Sequence, residues 1–401
     1  MKIALPSKVE KIIQVLNDNG YEAYAVGGCV RDSLLGREPE DWDITTSAEP
    51  AQIKALFRRT VDTGIKHGTV TVLLGSDGFE ITTYRIDGKY EDNRHPKEVL
   101  FTKSLEEDLK RRDFTINAMA YNDDTGIVDL FDGLGDMDRK VIRAVGDARE
   151  RFSEDALRIL RALRFSAQLN YAIDGDTKSA IAALKDNLKE ISAERIRVEL
   201  QKLLMSDHPE KLEEMKELGI TKVVLPEYDA IGDKICEKIA GSDKNLWIRL
   251  ALLLYHFDDP RVVLRRLKYD NETIRNVTTL IRHADDEPEP EPAKVRHAMV
   301  EVGVERMPYL ISLKRALQKQ DPKYIDAYEK IYRQILDDGD CICLKDLSVT
   351  GNDLMQEFHM PEGRELGECL QYLFGQVLND PSLNERETLF RLINDKMEKN
   401  T

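Results

Sequence analysis

Asp41 and Asp43 stand two apart in EDWDITT, at what reads as the start of a strand. The period-2 alternation of a strand puts both carboxylates on one face and Trp42 on the other, toward the core. Two carboxylates side by side repel unless a cation lies between them. Mg²⁺ takes a few carboxylate oxygens and completes its shell with water and phosphate oxygens, so Asp41 and Asp43 are candidate metal ligands and candidate catalytic residues. Glu80, in FEITTYR on another β-rich run, is the candidate third carboxylate on the same side. Upstream, AYAVGG ends a strand at Gly27 and Gly28, and CVRDSLLG opens a short helix. Glycines at a strand-to-helix turn let a phosphate approach the backbone, the helix start offers N–H donors, and Arg31 lies one turn in. Each piece also has an ordinary reading: Gly-Gly as a plain turn, Asp-x-Asp as a solvated strand end.

Two further motifs follow. DLKRRDFTINAMAY sets Lys110, Arg111, Arg112 and Asp113 beside an apolar helix start. That is a cluster of cations for a polyphosphate and an acid for a ribose hydroxyl, in a pattern that a solvated helix turn shares. SEDALRILRALRF reads as one helix with Ser153 as its N-cap. At about 100° per residue, Ala156, Ile159, Leu160, Leu163 and Ala167 form an apolar stripe. Glu154, Asp155, Arg158 and Arg161 fall opposite, with Arg164 at the edge. The ordinary account is a solvated face carrying a Glu154 to Arg158 pair worth about 0.3–0.5 kcal/mol.

The elements that must position these residues change character along the chain. The first 120 or so residues mix helical and strand signals, and TVTVLLGSDGFEITTYR reads as a β-hairpin turning at Ser76, Asp77 and Gly78. From about Lys140 helix follows helix, broken at DHPEK, at DDGD and at the acidic, proline-rich DDEPEPEPAK. With 401 residues, 41% hydrophobic and 33% charged, the chain is long enough for two to four cooperating units and ordered in composition. No apolar run approaches the roughly 18 residues of a membrane span and no cleavage signature follows the first helix, so the expectation is a cytoplasmic protein that does not engage a membrane. Five scattered cysteines and seven dispersed histidines exclude a disulfide framework and a zinc quartet, which leaves oxygen to hold any metal. A net charge of −15 excludes coating of nucleic acid by bulk attraction, but not a local basic track.

GGCVRDSLLGREPEDWDITT, followed by KRRDFTINAMAY and EDALRILRALRF, resembles the signature of the class II tRNA nucleotidyltransferases of the polymerase-β-like superfamily, which include the bacterial CCA-adding enzymes. The resemblance is dense to about Leu204, and LKDLSVTGNDLMQEF resembles the family's tail. It implies an α+β protein: a nucleotidyltransferase head with a mixed sheet over 1–138, a helical neck that recognises the base over 139–205, an RNA-binding helical body over 206–340 and a tRNA-binding helical tail over 341–401. The implied partners are tRNA, at its acceptor stem and 3′ end, and CTP and ATP as substrates. The implied reaction is attack of a tRNA 3′-hydroxyl on the α-phosphate, with Asp41 and Asp43 holding two Mg²⁺ ions.

Gly27, Gly28, Arg31 and Arg112 are implied to position the phosphates, and Asp113 the ribose. For the base, a carboxylate accepts from the exocyclic amine of cytosine or adenine while an arginine donates to the ring nitrogen; uracil and guanine place a carbonyl where that amine would be. The family uses its aspartate and first arginine in this way, here Asp155 and Arg158 beside Glu154, with Arg161 and Arg164 as further nucleotide contacts. RIDGKYEDNRHPKEV, Arg85 to Val99, matches the family's flexible loop, with His95 where many relatives carry arginine. Gly133 and Gly135 in DLFDGLGDMDRK are implied hinge points. RVVLRRLKYD, with Arg261, Arg265, Arg266 and Lys268, is a candidate phosphate track, although a solvated helix face explains it as well. The competing functions are an A-adding enzyme, a bacterial poly(A) polymerase and a catalytically inactive RNA-binding scaffold. A dinucleotide-binding dehydrogenase is disfavoured because Gly-Gly-x-x-Arg-Asp lacks the Gly-x-Gly-x-x-Gly spacing.

Overall fold

The computed structural model describes residues 2–87, 99–230 and 234–399, and divides into two compact units. Unit one holds residues 1–236 and 266–268; unit two holds the rest. Unit one opens with helix α1 (Ser7–Asp18), whose Val9, Ile12, Ile13 and Leu16 recur at helical spacing and are all buried. Strand β1 (Ala23–Val26) follows and is buried throughout, being flanked on both sides. Then come α2 (Gly28–Leu34), β2 (Ile44–Thr46), α3 (Pro50–Leu56), β3 (Thr60–Gly64), β4 (Thr69–Leu74) and β5 (Asp77–Thr83). A short ribbon, β6 (Arg85–Asp87) with β7 (Val99–Phe101), leads to α4 (Leu105–Lys110), β8 (Met119–Asn122) and β9 (Gly126–Asp129).

Seven of these strands form one sheet in the order β3-β4-β5-β2-β1-β8-β9. Only β2 and β5 run parallel, so the sheet is mixed, as expected. Alternation gives it two faces. Ala25, Ile44, Ile81, Val70 and Val72 are buried on one, together with Ile53 of α3 and the apolar stripe of α1. On the other, Tyr24, Val26, Tyr84 and Ala120 cluster with Leu109 of α4. The β4–β5 turn is Gly75 and Ser76; Asp77 and Gly78, read as turn residues, are already paired with Leu74 and Leu73.

Helices α5 (Gly133–Arg139), α6 (Ala148–Glu154), α7 (Leu157–Leu169), α8 (Gly175–Leu184) and α9 (Ala193–Leu204) continue unit one. Gly133, read as a hinge point, sits where a Cβ would stand 2.5 Å from the Thr115 carbonyl, so its backbone is packed tight. The segment read as a single helix from Ser153 is two. Asp155 is extended (φ −142°) and its carboxylate accepts from the Leu157 N–H at 3.0 Å, so it ends α6 and caps α7 while Ser153 lies inside α6. The polar side of α7 is not simply a solvated face either: Arg158 and Arg164 are buried along with its apolar stripe, and Arg161 is half-buried.

Unit two is helical, with a core of its own around Leu354, Leu373, Val377, Leu389 and Ile393. The DDEPEPEPAK segment does break the helix there, and Pro292 begins the next one at its first turn, where its missing N–H costs nothing. The body of the Arg85 to Val99 loop, His95 included, lies outside the described residues. Among the described residues no helix is long and apolar enough to cross a membrane.

Candidate active site

The β1–α2 turn carries Gly27 at φ +83°, a conformation that L side chains avoid. Its bareness serves the site, since a Cβ there would stand 3.0 Å from Nη1 of Arg112. The turn is fixed by the Gly27 N–H donating to the Met119 carbonyl at 3.1 Å, and by the Val26 N–H donating to the Asp43 carbonyl at 3.0 Å. The second bond ties the Asp-x-Asp to the glycine turn. Beneath it, the buried Cys29 thiol donates to the Val26 carbonyl at 3.4 Å.

Asp41 and Asp43 precede β2 rather than opening it, and both are exposed; Trp42 between them is half-buried rather than sunk in the core. Ile44 pairs with Ile81, so one residue upstream Asp43 stands level with Glu80 on the same face, as expected. Even so, among the described residues no three His, Cys, Asp or Glu side chains are arranged to hold a metal ion, so Glu80 does not complete a ready-made cage. Partial desolvation raises the Asp43 carboxyl above the usual range, Arg112 opposes the shift and the charge of Asp41 adds to it. Two neighbouring carboxylates, one of them raised by desolvation and by the other's charge, fit a hard divalent cation whose other positions would be filled by water and phosphate.

The arginines are held by acids that the motifs did not single out. Asp108, fully buried on α4, accepts from Nε and Nη2 of Arg111 at 3.0 and 2.7 Å, from Arg112 at 3.5 Å, from the Thr45 hydroxyl at 3.1 Å and from the Arg85 backbone N–H at 3.4 Å. Burial alone would push its carboxyl up, but Arg111 and Arg112 outweigh that and hold it below the usual range. The signal in the sequence was an acid three and four residues before the Arg-Arg pair. Arg31 is buried and already engaged: its fork grips Asp32 at 2.9 and 2.8 Å and it donates to Asn117 at 2.5 Å. Arg31, Arg161 and Arg164 lie 5.0, 5.3 and 4.1 Å from the centre of the Phe165 ring, whose π system attracts each of the three cations.

A pocket of about 260 Å³ gathers Arg111, Arg112, Asp113, Asp155, Leu157, Arg158, Arg161 and Arg195. The two downstream motifs therefore meet at one cavity. Arg158 pairs with Glu154 and donates from Nη1 to the Arg151 carbonyl at 3.0 Å and from Nη2 to the Arg111 carbonyl at 2.9 Å. Among the described residues, five N–H donors less these three leave Nε–H and one Nη2–H. Asp155 is held by Arg195 of α9 at 2.7 and 3.3 Å. Arg164 pairs with buried Glu199 of the same helix at 2.7 Å, away from this pocket. Of the charged track, Arg266 is tied to Glu227 at 2.7 Å, while Arg261 and Arg265 are exposed.

Asp113 is bound by Arg161 at 2.7 Å and by Asn117 at 3.2 Å. Burial opposes its charge, but Arg161, its hydrogen bond, Arg158 and Asn117 win and bring the carboxyl down to about 2 from 3.8. A carboxylate with a depressed folded-state value stabilises the fold above the unfolded value and loses that contribution as pH falls through the folded one. Urea midpoints are therefore expected to fall between about pH 4 and pH 2, and Asp113→Asn to flatten that part of the profile. An unchanged profile in the variant would contradict the ion pair.

Comparison with known proteins fits this geometry. Residues 23–143 match the "Poly A polymerase head domain" family, residues 170–231 the "Probable RNA and SrmB-binding site of polymerase A", and residues 240–393 the "tRNA nucleotidyltransferase domain 2" family. A CCA-adding enzyme of Pediococcus pentosaceus is 36% identical over 397 residues, covering 96% of both chains. One of Leuconostoc mesenteroides is 48% identical over 273 residues, 67% of each chain. The crystal structure of the Bacillus stearothermophilus CCA-adding enzyme in complex with CTP superimposes with a TM-score of 0.85 at 34% identity, over 99% of this chain and 100% of that one. With a head-domain match over the mixed sheet and relatives aligned nearly end to end, the chain belongs to the CCA-adding enzymes of the polymerase-β-like nucleotidyltransferases.

Proposed function

We propose that this chain completes the 3′ end of tRNA, adding C, C and A from CTP and ATP without a nucleic-acid template and releasing pyrophosphate. The observation that carries this reading is the single pocket holding Arg112, Asp113, Asp155 and Arg158 beside the Asp43 turn. In the reaction the terminal 3′-oxygen forms a bond to the α-phosphorus, the α–β anhydride bond breaks and pyrophosphate leaves. Asp41 and Asp43 would hold two divalent cations, assigned as Mg²⁺ from the all-oxygen donor set, which when bound would lower the cost of charge on the reacting oxygens. Arg112 faces the triphosphate across the bare Gly27 turn, and Asp113 receives the ribose hydroxyl. Asp155 accepts from the exocyclic amine of C or A, and the free Nε–H and Nη2–H of Arg158 reach the ring. Glu154 holds Arg158 of that reader in place and Arg161 holds Asp113, Gly28 opens the phosphate turn, and Arg31 and Arg164 support it from around Phe165. Glu80 borders the acceptor's side of the carboxylates.

The head, neck, body and tail are assigned to 1–138, 139–205, 206–340 and 341–401, the last two gripping the RNA by backbone and shape because every tRNA must serve. Five cysteines, all free, suit the reducing cytoplasm. An A-adding enzyme or a poly(A) polymerase is disfavoured, because relatives that span 96–98% of the chain are CCA-adding enzymes. The test offers tRNAs ending before the first C, after it and after the second C to the protein with each nucleoside triphosphate singly. CTP should extend the first two and ATP the third; extension of only the third by ATP would establish an A-adding enzyme instead.

One variant probes the phosphate turn. Gly27→Ala forces a methyl group against Arg112 at positive φ, at a cost of about 1–3 kcal/mol in stability. Displacing one charge-assisted donor should raise KM for CTP and ATP about tenfold. Equal KM values in parent and variant would remove Arg112 from the phosphate site.

A further inference from the structure

The face of the sheet that carries Asp43 is covered at β1 and β8 by Leu109 of α4 and its neighbours. Beyond β2 it changes. By register, the side chains sharing this face with Asp43 are Thr45 on β2, Glu80 and Thr82 on β5, and Thr71 and Thr69 on β4. Thr63 of β3 joins them, its hydroxyl 2.8 Å from that of Thr71; the Thr69 and Thr82 hydroxyls are 3.0 Å apart. Thr63 and Glu80 are exposed and Thr69, Thr71 and Thr82 half-exposed, whereas the alternate residues Val70, Val72 and Ile81 are fully buried.

We infer that this threonine face seats the sugar-phosphate backbone of the acceptor's penultimate nucleotide, with Thr71 contacting its ribose 2′-hydroxyl. The inference rests on the reading of the chain as a CCA-adding enzyme. The attacking 3′-hydroxyl has to lie at Asp41 and Asp43, and the preceding residue must continue along the face those carboxylates share. From β2 to β3 the face spans three strand spacings, roughly 14 Å. In each hydroxyl pair one O–H donates to the other, so the second hydroxyl keeps its proton for a ligand. Hydroxyls are also the chemistry that a growing strand needs. They carry no charge and can turn to donate or accept, and a 2′-hydroxyl does both, so one seat accepts three successive acceptor ends without reading their bases.

The test measures CMP addition to a tRNA lacking CCA, in the parent, Thr71→Val and Thr71→Ser, with the acceptor's penultimate ribose either intact or 2′-deoxy. Valine keeps the shape and strand preference of threonine, so the thermal midpoint should hold. Loss of one hydrogen bond should raise KM for tRNA about fivefold in Thr71→Val, leave KM for CTP unchanged and be restored in Thr71→Ser. The deoxy acceptor should weaken the parent by the same factor and cost the valine variant nothing more. An unchanged KM for tRNA in a folded Thr71→Val protein, or an equal rise in KM for CTP, would overturn the assignment while leaving the function standing. A parent that extends none of the acceptors would overturn the function on which the assignment rests.

Discussion

Asp43→Asn is expected to cut nucleotide addition by about 10³-fold or more while leaving the protein as stable as its parent or more so. The activity loss follows from removing one of two ligands to a cation that contributes several kcal/mol of transition-state stabilisation. The stability expectation follows from the sign of the shift at Asp43. Desolvation, aided by Asp41 and opposed by Arg112, raises its folded-state value above 3.8, so at neutral pH its charge costs folding free energy. That cost is present above the folded-state value and is relieved as pH falls through it, the reverse of Asp113. Asparagine removes it at every pH. A divalent cation should relieve it as well, so Mg²⁺ should raise the thermal midpoint of the parent but have a smaller effect on the variant. A variant that is inactive and also markedly less stable would mean that Asp43 holds the fold together rather than the metal.

Asp155→Asn should relax base selection. The parent presents a carboxylate, an acceptor only, so a base carrying a carbonyl at that position meets repulsion. An asparagine can turn its NH₂ toward the same carbonyl. The preference for CTP over UTP, as a ratio of kcat/KM, should therefore fall roughly 10–100-fold, in line with the 1–3 kcal/mol that one base-edge contact supplies. Addition of CMP itself should survive at a reduced rate, because the carboxylates at Asp41 and Asp43 are untouched. Asp155 also binds Arg195 at 2.7 Å and caps α7, so part of any change could come from a shifted helix start. Arg195→Lys separates the two: it keeps a cation beside Asp155 without the bidentate fork, and should disturb CMP addition without admitting UTP. If Asp155→Asn keeps the parent's ratio, the base is read elsewhere.

How much of this was visible in the sequence depends on the range of the interaction. The strand-turn-helix at Gly27, the level placement of Asp43 and Glu80, and the meeting of Arg112, Asp113 and Arg158 all follow from motifs whose residue types already carry the chemistry. The two-sided sheet was legible because alternation reports which side chain is buried. What the sequence hid were the partners. Asp108, Arg195 and Glu199 read as ordinary helix charges, and only tertiary packing turns them into mates for Arg112, Asp155 and Arg164, with Asp108 and Glu199 buried and Arg195 half-buried. Helical periodicity ran straight through Glu154 and Asp155, because each half of the segment satisfies it. The break is made by Asp155 as a cap, a role that Ser153 advertised equally well. The ordinary account of the polar side of α7 as a solvated face stayed open for the same reason: periodicity finds the apolar stripe but not what covers the other side.

The central claim is that one protein pocket selects C and then A without a template. It is tested most directly by giving the protein a tRNA lacking CCA together with Mg²⁺ and all four nucleoside triphosphates, and sequencing the 3′ ends over time. The account expects C, then CC, then CCA, with growth stopping there and no U or G above trace. Long A tails, A added with no preceding C, or mixed ends carrying all four bases would contradict it.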